Sequence, residues 1–132
     1  MNQFSKRAAR RLIQRALVLV ARDKHVRQHI REARMTTLWI IEDWNFAWTV
    51  VLDRGRIEFE RRPSRRPDLT ISWRSVDEFF RQVDDGVGAE SAFDSQGVEE
   101  FRRFAEPLRK AFLLSLRHVL ANPVDDAGVS LL

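Results

Sequence analysis

Three residues close together could hold a metal ion: His25, His29 and Glu32, spaced by four and three. Helical residues three and four apart share a face, so two imidazoles and a carboxylate there would suit a zinc-type ion. The glutamate that a His-Glu-x-x-His hydrolase carries beside its first histidine is replaced by Val26. Surface histidines on a charged helix are the simpler reading, and no metal is expected. His118 falls near the end of a later helical stretch, where a cation suits the helix C-terminus. Asp84 with Asp85, Glu99 with Glu100 and Asp125 with Asp126 are adjacent pairs. Neighbours in a helix point apart, so they are poor acid–base partners and read as solvated charge. There is no Gly-x-Ser-x-Gly, no glycine-rich phosphate loop and no cysteine. The chain therefore reads as a non-enzyme with no catalytic residue and no cofactor.

The apolar residues offer a different chemistry, which is the removal of a greasy ligand from water at about 25 cal/mol per Å² buried. Candidate lining residues are Trp39, Trp48, Phe59, Ile71, Trp73, Phe79, Phe80, Phe93, Phe101, Phe104, Leu108 and Phe112. Apolar periodicity is first a packing signal, so each of them taken singly is more simply a core residue. Nine Phe and four Trp without a Tyr nevertheless require a large interior. Each buried Trp also needs a partner for its indole N–H.

Charge is unevenly distributed. Residues 1–34 hold ten Lys/Arg against Asp23 and Glu32, a net +8, whereas the remainder carries a net −4. Arg7, Arg11 and Arg15 lie four apart, with Arg10 beside them. These four can form a solvated face, dock on an anionic membrane surface, or touch nucleic-acid phosphates, in that order of preference. No base-reading motif accompanies them, which argues against nucleic acid as a partner. No apolar run is long enough to span a bilayer or to serve as a signal core, so a cytoplasmic location is expected.

The 132 residues suit one domain. Residues 1–35 lack Pro and Gly, and Leu12, Ala16, Leu19 and Val20 recur at helical spacing, continued by Val26 and Ile30. This predicts one long amphipathic helix, or two broken near Asp23. Strands are predicted at 37–42, 46–52, 56–60 and 69–73, with Asp53-Arg54-Gly55 as a hairpin turn. Ser75 caps a helix through Asp85, with Glu78 completing a capping box. A last helix runs over about 98–121, and Pro107 should kink or split it. The tail 123–132 is expected to be irregular.

The middle of the chain resembles the sterol carrier protein 2 family. The resemblance lies in the order of its pieces: the tryptophan strand from Trp48 to the turn at Gly55, the strand Arg56–Glu60, the strand Pro67–Trp73, the helix from Ser75 to Gly86, and Ser91, Ala92 and Phe93 with Gln96 and Gly97. It covers about residues 38–97. The family's further strand after the Gln-Gly position is shortened, displaced or missing, because Val98 onward reads as helix. The resemblance implies an apolar cavity between sheet and helices that takes a sterol, a fatty acyl chain or another lipid, with its mouth near the 86–97 loop. The expected architecture is α+β, an antiparallel sheet of four to five strands covered by N-terminal and C-terminal helices. The alternative on the same fold is a module with a filled core whose partner is another protein or a second copy of the chain.

Overall fold

The computed structural model describes residues 4–85, 93–94 and 99–132, with side chains from Phe4 to Asp85 and from Arg103 onward. The chain begins with α1, Lys6–Arg22, whose first turn is capped by Ser5: its hydroxyl accepts from the Ala8 N–H at 3.1 Å. Asp23 ends α1 in an extended conformation, and its carboxylate caps α2, Lys24–His29, by accepting from the His25 and Val26 N–H groups. The predicted break at Asp23 is therefore a cap shared between two helices.

The strands β1 (Arg34–Ile41), β2 (Phe46–Asp53), β3 (Arg56–Glu60), β4 (Leu69–Trp73) and the two-residue β5 (Phe93–Asp94) form one sheet in the order β3-β2-β1-β4-β5. A 3₁₀ turn, Glu42–Trp44, joins β1 to β2. Arg54 and Gly55 at the centre of the β2–β3 turn have φ of 52° and 90°. Both central residues are thus left-handed, as the tightest hairpin turn requires.

The expected all-antiparallel sheet is not what forms. β4 runs parallel to β1, so the sheet is mixed. The cause is residues 61–68, which do not make a local turn. Glu60, Thr49, Leu38 and Thr70 lie on one row of the sheet, so the chain leaving β3 crosses sideways over β2 and β1. That is three strand spacings, about 14 Å, which eight residues span easily. Side chains on the outer face pin this strap. The Thr49 hydroxyl donates to the Arg62 carbonyl at 2.6 Å and accepts from the Ser64 N–H, while Thr36 and Asp68 exchange two bonds of 2.8 Å.

Helix α3, Val76–Asp85, starts where predicted. Ser75 Oγ accepts from the Glu78 N–H at 3.0 Å, and Asp43 adds a bond from the Val76 N–H at 2.9 Å. Helix α4, Glu99–Ala121, continues through Pro107 and is not split by it. Proline leaves the carbonyl four residues earlier without its helical donor. That carbonyl belongs to Arg103, and His29 Nε2 reaches it at 3.3 Å.

Beyond α4 the tail carries no helix or strand, only an isolated bridge, yet it is pinned by hydrogen bonds. Val124 bridges Ser130, the Leu131 N–H donates to the Pro123 carbonyl, and Asp125 Oδ1 accepts from the Ala127 and Val129 N–H groups. Asp126 then ties this turn to α1 through Arg15 at 2.9 Å and Arg22 at 2.6 Å.

Candidate functional site

Alternation along β1, β2 and β4 turns Trp39, Trp48 and Trp73 to the same covered face of the sheet, and all three are buried. Phe79 from α3 and Phe112 from α4 meet them from the helical layer. Ring centroids lie 5.0 Å apart for Trp39–Phe112 and 4.8 Å for Trp73–Phe79. Trp39, Trp48 and Trp73 are within 5.9 to 6.4 Å of one another. Rings at these separations are in direct contact, so they fill this part of the interior instead of surrounding a void. Ile71 and Leu108 are buried with them, while Phe59, Phe80 and Phe104 are half-buried at the margins of the core. The side chains of Phe93 and Phe101 and the expected mouth at 86–97 lie outside the described residues, apart from the short backbone strand β5.

Two of the three buried indoles have the expected partner. Trp39 Nε1 donates to Thr37 Oγ1 at 2.7 Å, and Thr37 in turn donates to the Val50 carbonyl. Trp73 Nε1 donates to Gln82 Oε1 at 2.9 Å. The N–H of Trp48 has no partner among the described residues. Gln82 also accepts from Arg109, which lies 2% exposed in α4 and donates to Glu106 at 3.0 Å. Sequence reasoning missed this buried polar group, although a signal existed. Ala105, Arg109, Phe112 and Leu116 follow the spacing of α4's apolar stripe and so place an arginine on its inward face.

An apolar crevice of about 10 Å³ lies where α1, the end of β1 and α3 meet. Ala9, Leu12, Ile13, Ile41, Phe79 and Leu116 line it, together with the half-buried Trp44 and Phe80. Phe4 packs on Phe80 with centroids 5.8 Å apart.

No protein-family model matches the chain, and no curated protein does. A solved structure does resemble it: the solution structure of a conserved hypothetical protein, "possibly sterol carrier protein", from Thermus thermophilus. Its TM-score is 0.54 at 11% identity, covering 82% of this chain and 85% of that one. The two chains share a fold. Identity this low carries the layer architecture across but no residue roles.

The four arginines read as a solvated face or a membrane-docking surface sit in different surroundings. Arg10 lies over the Phe46 ring, its guanidinium carbon 5.0 Å from the centroid, and Arg15 is bound to Asp126. Arg7 and Arg11 are exposed. Hydrogen bonds from Arg22 and then Arg15 hold the Asp126 carboxyl well below the usual carboxylate range. Asp126 is thus a paired group, although its side chain stays 61% exposed, as a solvated charge does. His25, His29 and Glu32 are exposed, and no cluster suited to a metal occurs among the described residues. His29 instead serves the Arg103 carbonyl and packs edge-on against Phe104. No helix among the described residues is long and apolar enough to cross a membrane.

Proposed function

We propose that this protein binds a hydrophobic small molecule, such as a sterol or fatty acyl chain, and carries it without covalent change. The observation that carries this reading is the crevice beside Phe79 and Phe80, whose lining consists of aliphatic and aromatic side chains only. The shared fold with a chain described as possibly a sterol carrier supports it. A volume of about 10 Å³ admits little more than one water-sized probe. An acyl chain must therefore displace the half-buried Phe80 and Trp44, and its affinity is lowered by the contacts that this opening breaks.

Titration of palmitate, followed by the methyl resonances of Leu12, Ile13 and Ile41, tests the reading. Saturable shifts centred on those methyls are expected. Ala9→Leu fills the crevice from a buried helical position, so a folded Ala9→Leu protein should no longer bind. Methyls unmoved by palmitate, or shifts that persist in Ala9→Leu, would refute the proposal.

A further inference from the structure

A second cleft lies at the other end of α1 from the apolar crevice. Its volume is 690 Å³, within the range of small-molecule sites. One wall is α2 with the turn that follows it, which supply Lys24, Arg27 and Arg31; the other is the β2–β3 turn, which supplies Arg54 and Arg56. The turn abuts α2 directly. A Cβ on Gly55 would come within 3.6 Å of the Arg27 carbonyl oxygen and 3.9 Å of the Arg31 Cα. The Arg54 N–H, bonded to the Ala33 carbonyl at 2.9 Å, fixes the turn in that position. Five cations thus converge on one concavity against a single lining carboxylate, Glu58.

Three arginines outside the cleft are neutralised at close range, Arg15 and Arg22 by Asp126 and Arg109 by Glu106. Within the cleft only Arg31 has an ion pair among the described residues, a 3.9 Å contact to the exposed Glu32. Like charges brought together from separate elements repel one another, and a bound anion removes that repulsion. Guanidinium groups suit phosphate oxygens best, because each offers a planar pair of N–H donors.

The geometry points to this cleft as a binding site for a small soluble anion bearing two or more phosphate groups. Because the cations come from two facing elements, a compact ligand with several phosphates can reach both of them at once. The site is separate from the apolar crevice and does not depend on the hydrophobic-ligand reading. α1 lies between them, and from Ala9 beside the crevice to Ala21 beside the cleft the helical rise is about 18 Å.

Inorganic tripolyphosphate, titrated by calorimetry and by the Gly55 amide resonance, tests the assignment. Arg54→Asn is the decisive variant. It removes a cation yet creates the Asn-Gly pair that this turn type prefers, so the fold is retained. Arg54→Asn combined with Arg56→Gln should weaken binding roughly 100-fold, about tenfold per cation. Arg7→Gln with Arg11→Gln, which changes the net charge equally, should alter it less than threefold, as expected for remote exposed charges. Equal weakening by the two pairs would overturn the site, since it would mark attraction to overall charge. So would binding to phosphatidylserine vesicles or duplex DNA with none to tripolyphosphate.

Discussion

Trp39, Trp48 and Trp73 offer a controlled comparison, because all three are at most 1% exposed and sit in one ring cluster. Replacing any of them with Phe removes the same atoms and leaves a similar void, so the packing loss is largely common to the three. The indole N–H is what differs. At Trp39 and Trp73 the substitution deletes a hydrogen bond of 2.7 or 2.9 Å, worth about 1 kcal/mol net. At Trp48 it deletes a buried donor with no partner, relieving a penalty of about 1–3 kcal/mol. Trp48→Phe should therefore be the least destabilising of the three, by about 2 kcal/mol or more. Urea denaturation, with unchanged slopes and shifted midpoints, measures the difference directly. A converse variant checks the cause. Thr37→Val keeps the shape of Thr37 but takes away the acceptor of Trp39, and should cost about 1–3 kcal/mol. Three equal losses, or a largest loss at Trp48, would show that ring packing and not the N–H decides the ranking.

Two further outcomes follow from polar contacts. Asp126 has a lowered folded-state pKa, so its pairing with Arg22 and Arg15 operates above the ordinary carboxylate value and is lost only as pH falls below that range. The Leu131 amide, bonded to Pro123 in the pinned tail, should stay protected from exchange down to about pH 4, the ordinary Asp value, and lose protection in Asp126→Asn at neutral pH; early loss in the parent protein would contradict the assignment. His29→Ala should cost about 1 kcal/mol in the parent chain and little when Pro107→Ala restores the helical donor to Arg103. A double-mutant cycle with no coupling would remove His29 from that role.

Much of the fold is legible in the sequence because local patterns decide it. The alternation of Leu69, Ile71 and Trp73, the Ser75 cap and the Arg54-Gly55 turn each name their own structure within a few residues. The parallel pairing of β4 with β1 is not local. It depends on Thr49 and Thr36 holding the strap 61–68 against the outer face, contacts made across 13 to 32 positions of sequence. Aromatic content likewise reveals that a large interior exists but not whether it is hollow. Ring spacing answers it for one part of the interior, where Trp39, Trp48, Trp73, Phe79 and Phe112 touch.

The N-terminal charge shows how a sum along the chain differs from a field in space. Ten cations in residues 1–34 suggest one basic helix face. Folding divides them. Arg10 is drawn onto Phe46, Arg15 and Arg22 onto Asp126 from the far end of the chain, and Arg34 lies 3.8 Å from Asp53. Lys24 and Arg27 are left on α2, where the shared cap at Asp23 turns the chain, and there they meet Arg54 and Arg56 from the net-acidic part of the sequence. This concentration of positive charge is therefore built by two segments far apart in the sequence. What brings them together is apolar. Ala21 and Ile57 line the same cleft, and Val26 on α2 and Ile30 at its C-cap are buried in the core. Burial of those side chains sets the spacing of the guanidiniums above them, so the electrostatics of the cleft follow from the packing beneath it.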